Sequence, residues 1–323
     1  MWKHCNDRKQ PTQRTIFGVA DLHALTVPDR KAQASRLKEY RLQSVATLLS
    51  CGVDPDRSII NFQSLVGGYH CELMWILGCH MPMGYLNRMT QWKDKKLKQK
   101  QLKQQGEKLG LFAYPVLMAA DIVLYKSTHV PVGDDQSQHL EMSRELVSKF
   151  NAFVGEEAFP VPKTLLCKFS KRIMSLSEPE SKKMSKSSGN RMSVLFLNDE
   201  PDVVREKIKK AKTDSISDSF YYDRQRRPGV SNLIDIVSGI QRREIADIER
   251  DIASFNNYVD FKNYVSEAII EGLKDTRKAY NEYMGDPEYL WDVVRRGSEQ
   301  SAEIASKNLN RVKELIGLDN DFL

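Results

Sequence analysis

The 323-residue chain lacks several features that would place it in a familiar class at once. It has no run of about 18 apolar residues, so no membrane-spanning helix is expected. Its five cysteines (5, 51, 71, 79 and 167) are scattered with no CxxC pair. An odd, unpaired set argues against a disulfide framework and against a cysteine zinc site, and it fits a reducing compartment. The six histidines (4, 23, 70, 80, 129 and 139) never fall at a metal-ligand spacing, so no metal site is read. A GxxxxGK[ST] loop is missing, which argues against an ordinary P-loop NTPase. No internal repeat is visible. The start, Met1-Trp2-Lys3-His4-Cys5, has no apolar stretch of the secretory kind and no obvious transit peptide.

What is present is ordinary for a globular protein of one large or two smaller domains. Hydrophobic residues at 41% and aromatics at 9% are enough for a sizeable core and rule out overall disorder. The formal net charge of +6 favours a nucleic-acid partner only weakly. Its distribution says more: between Lys93 and Lys108 seven lysines face only Asp94 and Glu107, a net +5. Such a run is either a solvated surface segment or one that touches phosphate.

The first part of the chain alternates strands and helices. An apolar run at 15–20 predicts a buried strand, and 58–63 and 130–133 read as a second and a third strand. Helical spacing covers 31–49, closed by Gly52, then 72–86 with Pro82 as a break, and 138–150. Residues 113–125 (AYPVLMAADIVLY) are apolar nearly all round, with Asp121 as their only acid. This alternation predicts an α/β sheet with crossover connections. Beyond about residue 197 the pattern is helical, with a polar connector at 214–228. Two domains are expected: 1–197, α/β with a basic insertion near 93–108, and 198–323, all-helical.

Lys183-Met184-Ser185-Lys186-Ser187 carries the strongest chemical signal. Two lysines three apart among hydroxyl residues form a cationic loop able to follow charge that builds on a polyphosphate. A polar surface loop has the same composition. Asp121 is the second signal, because an ionised carboxylate in an apolar helix needs a partner. That partner is structural or it is a ligand. Met118, one turn earlier, shares its face. Gly133-Asp134-Asp135-Gln136 ends a strand, where open α/β sheets bind ligands; a simple turn has the same residues. His23, just after the first strand, is a structural or a pocket histidine.

The pentapeptide 183–187 is the second signature of the class I aminoacyl-tRNA synthetases, and the chain resembles the tryptophanyl-tRNA synthetases in particular. The resembling stretches are 17–27 (FGVADLHALTV), 89–95 (MTQWKDK), 114–136 (YPVLMAADIVLYKSTHVPVGDDQ), 172–187 and 228–233 (PGVSNL), in order from about residue 13 to the end. The resemblance implies a Rossmann-like parallel sheet and a helical domain that binds the tRNA anticodon region. It implies ATP-dependent activation of tryptophan to tryptophanyl-adenylate, then transfer to tRNA(Trp). ATP and Mg2+ are the implied small-molecule partners, and a homodimer with no membrane role is the implied assembly, with the helix carrying Trp75 and Leu77 as the candidate interface. The wording around 125–136 resembles the mitochondrial and bacterial branch, so a mitochondrial matrix location is expected.

By the same resemblance, Lys183 and Lys186 are catalytic. ATP would contact Gly133, Asp134, Asp135, Ile173, Met184, Ser185 and Ser187, with Lys93 and Lys95 helping on the phosphates. Asp121 would accept from the indole N–H beside Met118, with Gln136 and His23 completing the tryptophan pocket.

The family begins with a strand, a Gly-rich turn and a helix bearing the first signature, and none of these precedes Asn6. Two expectations follow. The chain is a truncated form or incomplete gene product, short of donors whose individual loss costs ~10²–10³ in rate. With a sheet order of 3-2-1-4-5, the strands near 15–20 and 130–133 lack their shared neighbour, so a gap or rearrangement should sit beside Asp121 and Gly133. Two alternatives accompany the enzyme: a catalytically impaired tRNA-binding or dimer-forming form, and a tyrosine-specific relative.

Overall fold

The computed structural model describes residues 14–26, 33–90, 92–93, 108–133, 136–165, 172–185 and 189–319. Lys95, Asp134, Asp135, Lys186, Ser187, the start of the chain at 1–13 and the basic run at 94–107 lie outside them. The chain divides into two compact units: Met1–Cys167 with Asp286–Leu323, and Lys168–Gly285.

In the first unit, strand β1 (Thr15–Val19) leads into a single helical turn α1 (Asp21–Ala24) and helix α2 (Gln33–Ser50). Strand β2 (Ser58–Phe62) follows, then α3 (Tyr69–Gly78), α4 (Met83–Arg88) and α5 (Leu109–Val123). Strand β3 (His129–Pro131), α6 (Ser137–Val154) and β4 (Lys163–Leu165) complete this stretch. The break expected at Pro82 is real: its backbone is extended and it caps α4, because proline cannot continue a helix.

β1 pairs with β2 in parallel, from Thr15 opposite Ser58 to Val19 opposite Phe62. β3 pairs with β4 in parallel, from His129 opposite Lys163 to Pro131 opposite Leu165. These are two separate two-stranded sheets. Among the described residues no strand joins β1 to β3, and a cavity of about 250 Å³ is lined by both.

The second unit is helical. An irregular hairpin at 172–185 precedes α7 (Pro201–Lys210), α8 (Pro228–Gln241), α9 (Ile245–Ile252), α10 (Tyr258–Gly272) and α11 (Lys274–Met284). Val204, Ile208, Leu233, Val237, Ile248, Phe261 and Val265 form its core. The last helix, α12 (Pro287–Leu315), belongs to the first unit.

The division expected near residue 197 therefore differs from the compact units, for two physical reasons. Ile173, Met184 and Leu195 pack on the helical core of the second unit, so residues from 168 onward go with it. α12 lies directly on β2: a Cβ added at Gly297 would run into the Ile60 carbonyl and amide, so only glycine allows this approach. Ala305, Leu309 and Val312 of α12 then join Leu73, Leu77, Val116, Ala120, Leu140 and Phe150 in the core of the first unit. β2 is consequently buried at every residue, its polar Ser58 and Asn61 included.

Candidate functional site

Helix α5 is apolar, with nine buried residues between Leu111 and Val123, and its last turn carries Asp121. Three side chains converge on that carboxylate. Gln63 Nε2 donates to Oδ1 at 2.6 Å, and His70 Nδ1 lies 2.7 Å from the same oxygen. His23 Nε2 lies 2.8 Å from Oδ2. Gln63 sits at the carboxyl end of β2 and is itself oriented, since its Oε1 accepts from the Leu22 amide at 3.2 Å. Burial pushes the Asp121 carboxyl up, but the hydrogen bonds from His23 and His70 outweigh it and hold the group below its ordinary range. Asp121 is therefore ionised at neutral pH.

The carboxylate is 22% exposed, and it lines the cavity between β1 and β3 together with Gly18, Gln63, His70, Tyr125 and Val130. His23 lies edge-on to Tyr114, their ring centres 6.1 Å apart. Met118 is partly buried against the core on the same helix. Gly133 and Gln136 follow β3, where the Gln136 amide donates to the Gly133 carbonyl at 2.9 Å. Met118, Gly133 and Gln136 are not part of the cavity lining. The structure thus brings His23 to Asp121, and it adds Gln63, His70 and Tyr125, which the sequence reading did not single out. The available signal was His70, a polar residue inside the apolar run YHCELMWIL, which needed a partner.

Lys93 is exposed at the end of a short helical segment whose inner side is anchored by Met89 and Trp92. Trp92 packs edge-on against Phe112, centres 5.0 Å apart. An aromatic anchor beside an exposed lysine accounts for the pattern MTQWK.

In the second unit, the hairpin at 172–185 brings together the two residues expected around the adenine. The Met184 amide donates to the Ile173 carbonyl at 3.0 Å, and the Ser175 amide donates to the Lys182 carbonyl at 2.8 Å. Lys183 and Ser185 are exposed beside them. The motif PGVSNL explains how this hairpin is held. Pro228 opens α8, Gly229 lets the helix meet the Lys212 carbonyl, and Asn232 bonds both backbone groups of Met174. Ile173 and Met184 also line an apolar cavity of about 310 Å³ with Leu195, Phe196, Ile236 and Leu273.

Chemically, the first unit offers a partly buried anionic acceptor facing a cavity, and the second offers a braced hairpin that presents cations. Comparisons with known proteins show the family. The family model for class I tRNA synthetases (W and Y) matches residues 3–274. The tryptophan–tRNA ligase, mitochondrial, of Saccharomyces cerevisiae is 52% identical over 98% of this chain and 85% of its own length. The tryptophan–tRNA ligase of Rickettsia bellii is 41% identical over 96% of this chain and 90% of its own. Among solved structures, the tryptophanyl-tRNA synthetase of Mycoplasma pneumoniae superposes with a TM-score of 0.80 at 32% identity, covering 93% of this chain and 87% of that one. The chain belongs to the class I tRNA synthetases of the tryptophan and tyrosine group.

Proposed function

We propose that this chain is a tryptophan–tRNA ligase, which activates tryptophan with ATP and transfers it to tRNA(Trp). The observation that carries the specificity is the bonding of Asp121. A carboxylate offers roughly four lone-pair positions. Gln63, His70 and His23 use three, which leaves one on Oδ2 for a further donor. Indole N–H is a donor only, so a pure acceptor satisfies it fully, whereas a phenol both donates and accepts and would find no donor for its oxygen on this carboxylate. The relatives at 52% and 41% identity also favour tryptophan over tyrosine.

In the activation step the tryptophan carboxylate oxygen attacks the α-phosphorus in line, and the bond to the pyrophosphate oxygen breaks. Lys183 and Lys186 stabilise the charge that moves onto the leaving pyrophosphate. Ile173 and Met184 would clasp the adenine, and Gly133, Asp134, Asp135, Ser185 and Ser187 would bond the nucleotide. Lys93 and Lys95 would meet the outer phosphates, and Met118, His23 and Gln136 would border the amino acid. Magnesium would arrive on the triphosphate and share its charge.

The second unit, through its helices, is proposed to meet the anticodon region. A homodimer is proposed through the face of α3, where Trp75 is 75% exposed; Leu77, the other expected contact, is buried in the core. A mitochondrial location is supported by the name of the yeast relative.

The decisive measurement is ATP–pyrophosphate exchange by the purified chain. Exchange that depends on tryptophan and not on tyrosine, and that falls in Asp121→Asn, supports the reading. Binding of tRNA(Trp) with no exchange would point instead to a catalytically impaired tRNA-binding form.

A further inference from the structure

We propose that Asp21 is a positioning residue for the Asp121 site: it ties the helical turn α1 to the turn that follows β2, and so fixes where His23 and Gln63 meet the Asp121 carboxylate. The proposal deepens the reading of Asp121 as the indole acceptor and rests on it.

His23 and Gln63 reach Asp121 from two different segments. His23 belongs to α1, and Gln63 opens a short helical turn, Gln63–Leu65, directly after β2. The two pieces are four and three residues long, and neither has a side-chain cap. Helical pieces this short are marginal in water on their own. Bonds between them supply the order. The Asp21 carboxylate accepts from the Ser64 amide at 2.9 Å through Oδ1, and from the Ser64 hydroxyl at 2.6 Å through Oδ2. Next to this pair, the Leu22 amide donates to Gln63 Oε1 at 3.2 Å. That bond decides which way the Gln63 amide group faces. Its oxygen is taken by an N–H, so its nitrogen points away, and Nε2 donates to Asp121 Oδ1 at 2.6 Å. His23 follows on the same turn as Asp21 and places Nε2 2.8 Å from Asp121 Oδ2.

Asp21 is itself held firmly. It is 6% exposed, and Arg41 of α2 forms an ion pair with it, Nε to Oδ2 at 3.0 Å. The Arg41 guanidinium lies 4.1 Å from the centre of the Phe62 ring and 5.6 Å from that of Trp291. The tie is thus seated on β2 and α12. A carboxylate bonded to a backbone amide makes a charge-assisted bond, roughly twice as strong as a neutral one. Asp21, Arg41 and Ser64 are not part of the cavity lining beside Asp121. Asp21 therefore acts through Gln63 and His23 and not on a ligand.

The test crosses specificity against stability in the full chain. Specificity is the ratio of calorimetric Kd values for tryptophan and for 3-benzothienylalanine, which carries sulfur in place of the indole N–H. Stability is the thermal unfolding midpoint. Asp21→Asn keeps an acceptor for the Ser64 amide and a polar group for its hydroxyl, but leaves Arg41 without a counter-charge. It should keep the wild-type ratio and lower the midpoint. Asp21→Ala combined with Arg41→Met removes the tie and both charges together. It should lose roughly 3–10-fold in the ratio, the scale of one buried hydrogen bond, with a midpoint above that of Asp21→Asn. A ratio that falls in step with the midpoint across these variants, or one unchanged in the double variant, overturns the proposal. Asp121→Asn separates that failure from failure of the indole reading. Should Asp121→Asn keep the wild-type ratio, the acceptor reading fails and the proposal falls with it. Should it lose the ratio while the double variant keeps it, the acceptor reading stands and the positioning role alone is overturned.

Discussion

Asn232 grips Met174 by both of its backbone groups: its Oδ1 accepts from the Met174 amide at 2.7 Å, and its Nδ2 donates to the Met174 carbonyl at 2.9 Å. The residue comes from the second turn of α8 and is buried, so the hairpin carrying Lys183 is tied to a rigid helix rather than left as a surface loop. Asn232→Ala removes two bonds, each about 1 kcal/mol net and more where a buried group stays unpaired. Steady-state exchange kinetics should show a fall in kcat of ~10-fold or more, with the tryptophan KM little changed. A rise in tryptophan KM alone would contradict this placement.

Lys183→Ala removes a cation proposed to act on charge that develops only as pyrophosphate leaves. The expected loss is ~10²-fold in exchange rate, with tryptophan binding retained in calorimetry. Equal weakening of tryptophan binding would argue for a ground-state role instead.

Gly297 and Gly239 are both helical glycines, and their substitution should have opposite signs. At Gly297 an alanine Cβ would meet the Ile60 backbone, which cannot move without displacing β2. Thermal unfolding of Gly297→Ala should show a loss of ~2–4 kcal/mol. At Gly239, inside α8, nothing lies within 4 Å of the added carbon. Gly239→Ala should leave stability unchanged or raise it by up to ~1 kcal/mol.

Acid stability should depend on Asp214. Burial pushes its carboxyl up, but Arg227 and Tyr258 outweigh this and bring it from an ordinary 3.8 to about 2. A depressed folded-state value means that the contribution is complete above the unfolded value and fades as pH falls through the folded one. The loss therefore spans roughly pH 4 down to 2. Denaturant titrations of Asp214→Asn should show a flatter stability profile across that window and lower stability at pH 7, where the buried Arg227 loses its counter-charge. A profile parallel to wild type would rule out this carboxylate as the source.

Much of the fold was legible because short-range rules apply to it. β2 centres on Ile59, Ile60 and Phe62 and is buried on both faces; Pro82 stands at the start of a new helix; α12 and its neighbours have helical spacing. The signature 183–187 pointed to the right family, and Asp121 stood out as a charge in an apolar helix. The partners of that charge were harder to read. His70 lies 51 residues away, Gln63 58 and His23 98, and nothing in local periodicity links such positions. β4 was not anticipated at all, since three residues with exposed ends leave no alternation to detect. The division into units was missed for a related reason. The small residues Gly297, Ser298 and Ser301 read as an ordinary stretch of helix until β2 is placed against them.

Because α12 supplies part of the core of the first unit, that unit is assembled from segments on both sides of the second. During synthesis the second unit, Lys168–Gly285, leaves the ribosome with its whole core in hand. The first must wait for residues 286–323, with β2 and its neighbours uncovered in the meantime. Domains generally mature from the N-terminus as they emerge. Here the order is reversed, and β1 and β2 are made well before the helix that covers them.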